Sequence, residues 1–419
     1  MDDHRNLALV GVCFFLVAAL TGCRPSASGP LRQRAYLWQR DWTPAVADAL
    51  DEIERRMDGA VILGAEIIWS DAGPEARRAS IDWAAWKRAR SLRALALRIA
   101  PFSGPFAAED TNADFIAGVA RSLIEEASTY GVKLAEFQID FDCAQKNLAG
   151  YRLWLQRLRS VMPAPVRLVI TTLPAWLDQP EFASLVRDVD GYVLQVHSVP
   201  TRHESGRDTL FDPELTRRWV AKAAKFGRPF SVALPTYRCI AGYDDAGKLL
   251  GVYMDSVPPK WPPGTTTLEF AADADAIADM VREWQTARPP ELRELLWYRA
   301  PVASDARNWR WPTLAAVMTG RRPRHELRVT QEGGNPVDLA LVNAGEAEEP
   351  LASIVTARWQ EETLEAADAL SGWSVVTGQG RAQFIPSLPS PVRLAPGAKR
   401  SIGWLRFAAP TTVEVQVEK

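Results

Sequence analysis

The stretch Gln138-Ile139-Asp140-Phe141-Asp142 sets three polar groups into an otherwise apolar run. Side chains alternate along a strand, so Phe137, Ile139 and Phe141 face one way and Gln138, Asp140 and Asp142 the other. Two carboxylates two residues apart on an inward face repel each other and are costly to desolvate, which drives one of them to hold a proton. A proton held near a second negative charge is the equipment of general acid–base catalysis. The same placement also suits a strand end whose aspartates cap a helix or bind an arginine.

The elements that must position this pair follow a regular pattern. Strand-like runs at 35–39, 60–68, 92–99, 134–142, 166–173, 191–197, 230–236 and 294–298 alternate with helical patterns at 44–57, 81–90, 113–130, 148–161, 181–187, 213–226, 273–286 and 313–319. Pro213 fits a first-turn proline, and Gly131 and Gly227 fit stops just beyond helix ends. Eight strand–helix pairs predict an α/β fold, a (β/α)8 TIM barrel over 35–322. The long polar segment 242–264 reads as an inserted hairpin or lid over the barrel mouth. Beyond Arg322 the helical period stops. Short β runs between Gly, Pro and Asn turns predict a small C-terminal β-sandwich domain over 323–419. Its expected role is to brace the barrel or to bind carbohydrate.

Chemistry in such barrels sits at the C-terminal strand ends. Strand two brings Glu66, with Gly64 and Ile68 expected on the same face. Strand three turns Arg98 inward with Ala94 and Ala96, and strand four brings Asp140 and Asp142. Strand six places Gln195 and His197 on one face, strand seven ends at Tyr237, and strand eight at Tyr298. Arg98 is expected to bridge the carboxylates of Glu66 and Asp140, holding one ionised while another carries a proton. The alternative for Arg98 and Glu66 is a purely structural ion network. His197 is either a satisfied core histidine or a hydrogen-bonding group at the site, and it has no histidine partner at metal-ligand spacing. Of 16 tryptophans, Trp38, Trp69, Trp176 and Trp297 fall at or just after strand ends. A sugar ring could lie flat on an indole there, whereas Trp83, Trp86, Trp154, Trp219 and Trp284 read as core.

The N-terminus addresses the protein. Residues 7–20 are uncharged and mostly apolar, short for a membrane span and suited to the apolar core of a signal peptide. They run into Leu20-Thr21-Gly22-Cys23, which resembles the lipobox of bacterial lipoproteins. That resemblance implies a signal peptide over 1–22, lipidation of Cys23, a flexible Pro/Ser/Gly tether over 23–34 and membrane association through the lipid. Arg24 after the cysteine resembles the pattern that sends lipoproteins to the outer membrane, facing the periplasm. With 49 basic and 51 acidic residues, no bulk field attracts nucleic acid. Cys143 and Cys239 remain in the folded part, able to pair or to stay as buried thiols.

Two family resemblances bear on the barrel. The run from Gln138 to Ala144 is similar to the strand-four signature Asp-Ile-Asp-Trp-Glu-Tyr-Pro of chitinase-like glycoside hydrolases. It implies Asp142 at the general-acid position, where that family has glutamate, and Asp140 at the orienting aspartate, with Gln138 in place of the first aspartate. Trp297 resembles the tryptophan under the reactive sugar. The runs 35–42, 138–142 and 190–197 resemble the bacterial family called domain of unknown function 3142, which implies a barrel and export. Together these predict a glycoside hydrolase-like lipoprotein of the cell envelope, using no metal or cofactor and acting on an extracytoplasmic polysaccharide. Asp142, Asp140 and Glu66 are its expected catalytic carboxylates, and Arg98, Gln138, Gln195, His197, Tyr237, Trp38, Trp176, Trp297 and Tyr298 its expected glycan contacts. The competing expectation is a non-catalytic glycan-binding or scaffold lipoprotein of the envelope.

Overall fold

A computed structural model of the protein describes residues 26–107, 110–200, 209–254, 259–370, 372–387 and 392–418. The expected signal peptide and Cys23, the residue expected to be lipidated, lie outside the described residues, as does His203. Eight parallel strands form the barrel: β1 (Arg32–Leu37), β2 (Gly59–Ser70), β3 (Leu92–Ile99), β4 (Glu136–Phe141), β5 (Arg167–Thr172), β6 (Gly191–Gln195), β7 (Phe230–Pro235) and β8 (Leu292–Tyr298). Each pairs with its neighbours in sequence, and β8 pairs with β1 to close the ring. Helices α1 (Pro44–Arg56), α2 (Trp83–Arg88), α3 (Thr111–Thr129), α4 (Leu148–Arg159), α5 (Phe182–Leu185), α6 (Pro213–Ala223), α7 (Ala274–Thr286) and α8 (Trp311–Met318) alternate with the strands.

Local chemistry starts and stops these helices. Asp110 caps α3 by accepting from the Asn112 amide at 2.9 Å, and Asp212 caps α6 by accepting from the Leu215 amide at 2.9 Å, with Pro213 in the first turn. Gly131 and Gly227 sit at φ +74° and +65°, the left-handed stops that side chains with a Cβ adopt reluctantly.

Alternation divides every strand between two cores. Tyr36, Val61, Ala94, Ala96, Val169, Val193, Ala233 and Leu296 fill the barrel interior. The opposite faces pack against the helices, with Leu95, Leu97, Phe137, Ile139 and Phe141 among them. Strand β2 corrects the simple alternation expected for it. The register shifts between Leu63 and Ala65, and a Cβ on Gly64 would meet the Leu123 side chain of α3 at 3.1 Å. Gly64 therefore faces the helices rather than sharing a face with Glu66. The bulge swaps parity, so Val61 below it and Glu66 above it both turn inward.

The barrel begins at Arg32, not Ala35. The neighbouring residues expected as a free tether are tied down, with Ala27 bridged to Arg288 and the Gly29 amide donating to the Gln285 carbonyl at 2.7 Å. After β7 a three-stranded antiparallel sheet (Arg238–Tyr243, Leu249–Tyr253, Thr266–Ala271) forms the expected insertion. The C-terminal domain is two four-stranded antiparallel sheets around one apolar core that includes Leu339, Leu341, Phe384, Ile402 and Phe407. The strands Leu364–Ala369 and Arg381–Pro386 escaped the sequence pattern because neither is a strong apolar run.

Candidate active site

A cleft of about 800 Å3 opens at the C-terminal ends of the strands. Its centre is the end of β4. Asp140 is buried, and both of its carboxylate oxygens accept: Oδ2 from Arg98 Nη1 at 2.8 Å and Oδ1 from the Thr171 hydroxyl at 2.8 Å. Arg98 stays firmly protonated. Burial works against its charge, but Asp140 and the neighbouring acidic groups outweigh it.

Asp142 lies two residues on, just past the strand end, and is exposed to the cleft. Its proton affinity is raised, first by crowding from surrounding protein and then by the negative charge of Asp140. Arg98 and a hydrogen bond from Gln195 oppose the shift. Contact with cleft water moderates its size. One aspartate is thus clamped by two donors while the other faces the cleft with an enhanced hold on a proton.

Glu66 lines the same cleft but not as expected. Its carboxylate accepts from Arg40 Nε at 2.5 Å, so Arg98 serves Asp140 and a second arginine serves Glu66. His197 contacts the Tyr237 hydroxyl through Nδ1 at 3.3 Å and stacks on Tyr298 with ring centroids 5.6 Å apart. Burial pushes its pKa down to about 4, which keeps the imidazole neutral around pH 7. Trp38 meets Tyr36 and Tyr298 edge-on at 5.3 and 5.5 Å, forming an aromatic wall beside the carboxylates. Burial pushes the Tyr298 hydroxyl up to about 12, with Asp140 adding to the effect, so it acts as a neutral hydrogen-bonding group.

Asp140, Asp142, Glu66, Arg98, Gln195, His197, Tyr237, Tyr298 and Trp38 therefore converge as the sequence predicts. Three expected contacts do not. Gln138 is fully buried a layer below, accepting from the Tyr36 hydroxyl at 2.8 Å and donating to Glu136 at 2.6 Å. Trp297 faces the helices, because Leu296 and Tyr298 take the inward positions of β8; its indole N–H donates to Gln33 at 2.9 Å. Trp176 is likewise in the outer core, donating to the Cys143 carbonyl at 3.0 Å, and Trp69 packs on Phe102 and Trp154. Of the four strand-end tryptophans, Trp38 alone lines the cleft. Cys143 and Cys239 are separate, buried free thiols.

The structure adds residues that strand-end reading passed over. Tyr36 precedes Trp38 by two on the inward face of β1, and Thr171 precedes Leu173 by two on β5, so parity alone would have found both. Arg40, Asp41 and the Arg299–Asp305 ion pair at 2.7 Å come from loops, where parity gives no guidance. Among the described residues no cluster of three or more His, Cys, Asp or Glu side chains is set to hold a metal.

Several solved structures resemble this chain at low identity. The spore cortex-lytic enzyme SleL of Bacillus cereus aligns with a TM-score of 0.46 and 11% identity over 71% of this chain and 75% of its own. A chitinase from Chromobacterium violaceum aligns at 0.46 and 12% over 69% and 98%. The GH18 chitinase ChiB of Flavobacterium johnsoniae aligns at 0.46 and 10% over 70% and 94%. Likeness at this level assigns no chemistry. No curated protein matches the chain. Residues 326–408 of the β domain match the family model described as Domain of unknown function (DUF8456), and residues 99–303, from the end of β3 to beyond β8, match the one described as Domain of unknown function (DUF3142).

Proposed function

We propose that the protein is a glycoside hydrolase-like enzyme acting on an extracytoplasmic polysaccharide, with Asp142 as the general acid. The observation that carries this reading is the unequal pair at the end of β4. Asp140 is held by Arg98 and Thr171, while Asp142 meets the cleft with its proton affinity raised. Asp142 would protonate the glycosidic oxygen as the bond to the leaving sugar breaks. The fixed negative charge of Asp140 would stabilise the positive charge that develops on the sugar ring. Glu66 is the candidate for a second carboxylate, as base or nucleophile, once Arg40 is displaced; the substrate's own acetamido group is the other source of a nucleophile. Neutral His197, Tyr237 and Tyr298 supply hydrogen bonds to hydroxyls, and Trp38 offers a ring face to a sugar.

The pairing of Glu66 with exposed Arg40 favours a second reading, in which the cleft holds a glycan without cutting it. Incubating the purified protein with envelope and capsular polysaccharides and assaying for new reducing ends separates the two. Cleavage of any of them supports the enzyme. Binding without new ends supports a glycan-binding lipoprotein, and no binding at all supports a scaffold that contacts proteins.

Anchoring through Cys23 belongs to the same proposal. It rests on the apolar run 7–20 ending in Thr21-Gly22-Cys23. Cys23→Ser is expected to release the protein from the outer-membrane fraction, and unchanged membrane retention would favour an uncleaved helix.

A further inference from the structure

Every guanidinium that lines the cleft among the described residues faces a carboxylate. Arg98 is held by Asp140 at 2.8 Å, Arg40 by Glu66 at 2.5 Å and Arg299 by Asp305 at 2.7 Å. The Arg299–Asp305 pair is nearly buried, at 13% and 9% side-chain exposure, so opening it would strand two charges out of water. No lysine lines the cleft among the described residues, and His197 is held neutral by burial. Two carboxylates remain without a guanidinium: Asp142 at the centre and Asp41, exposed at the rim. Among the described residues, three cations thus stand against five acids in one concave, partly desolvated space, where field lines concentrate.

An acidic sugar seated here would lie beside Asp140 and Asp142 with no unengaged cation among the described residues to meet it. A protonated amine would meet the charge of Asp140, and its own charge would favour the ionised form of Asp142 beside it. We infer that the cleft selects a polysaccharide bearing free amino groups, such as a de-N-acetylated hexosamine polymer, over neutral N-acetylated or uronate-containing chains. This inference rests on the glycan reading of the cleft and adds the charge of its ligand; a sugar with a free amine carries no acetamido nucleophile, so on such a ligand Glu66 is the second carboxylate.

Binding tests it without needing turnover. Tryptophan fluorescence or calorimetry would compare three hexamers at pH about 6: β-linked glucosamine, its N-acetylated counterpart and an oligouronate. The glucosamine hexamer is expected to bind roughly tenfold tighter than the N-acetylated one, the size of one modest ion pair. The gap should shrink when salt rises from about 0.05 to about 0.5 M. Asp142→Asn should close most of it, and Asp41→Asn, at an exposed position with little bearing on folding, part of it. Equal or tighter binding of the N-acetylated or uronate hexamer would overturn the charge inference and leave the glycan reading standing. So would a preference that neither aspartate variant changes. Failure of all three to bind would defeat the glycan reading and this inference with it.

Discussion

The barrel carries two sets of charges, one buried at its floor and one open at its mouth, and they are built differently. At the floor, Arg34 is 3% exposed and donates to both oxygens of Glu294 at 2.8 and 2.6 Å and to Glu136 at 3.1 Å. Ser231 and Gln138 donate to the same carboxylates at 3.0 and 2.6 Å, and Arg167 approaches Glu136 at 3.7 Å. Two arginines balance two glutamates, and Tyr36 closes the network from above. At the mouth the acids outnumber the arginines among the described residues, and Asp142 faces the cleft with its proton affinity raised. A balanced, sealed network holds a fold together, whereas an unbalanced, open one keeps a proton available.

The largest effect on stability is expected at the floor. Arg34→Met would leave Glu294 and Glu136 buried without their main partner, at a cost of about 3–5 kcal/mol. Urea denaturation would read it, and glycan binding per folded molecule should be unaffected. A loss below about 1 kcal/mol would mean that the floor is not the structural half of the comparison.

The tryptophans sharpen the contrast. Trp297 is fully buried against the helices, so Trp297→Ala should cost about 3–5 kcal/mol of stability. Trp38 is partly open to the cleft, so Trp38→Ala should cost about 1 kcal/mol of stability but weaken glycan binding measurably. Calorimetric melting and oligosaccharide titration of the two variants would read both, and the reverse pattern would place the sugar platform on Trp297 after all.

The remaining effect concerns pH. Loss of water around the half-buried His197 ring pushes its pKa down from the ordinary 6.5 to about 4. Its contribution is therefore complete above about 6.5 and is lost as pH falls toward 4, because the unfolded chain takes up a proton that the native state refuses. Stability should drop by about 1–2 kcal/mol across that window. His197→Asn should flatten the drop, and an unchanged pH profile in that variant would show that His197 is charged in the folded protein.

Much of this contrast was legible in the sequence, and the misses share a cause. Strand period and helix stops placed all eight barrel units, and parity placed Arg98, Asp140 and Asp142 inward. Parity failed at Gly64, where a bulge swaps the faces of β2; a lone glycine inside a strand run was the signal that could have found it. Proximity to a strand end misled for Trp176 and Trp297, because a residue beside the mouth by sequence can still face the helices. Partner choice was beyond the sequence as well. Arg40 reaches Glu66 from the loop after β1, and only the folded path of that loop puts it there.

The central claim is that Asp142 is the proton donor of the mouth. Because the native environment raises its proton affinity, its charge favours neither the fold nor the pair, and Asp142→Asn should leave the melting temperature within a few degrees of the parent. Measured on a polysaccharide that the parent protein cleaves, the same substitution is expected to lower the release of reducing ends by ~10²–10⁴-fold. Full cleavage by a folded Asp142→Asn variant would contradict the assignment.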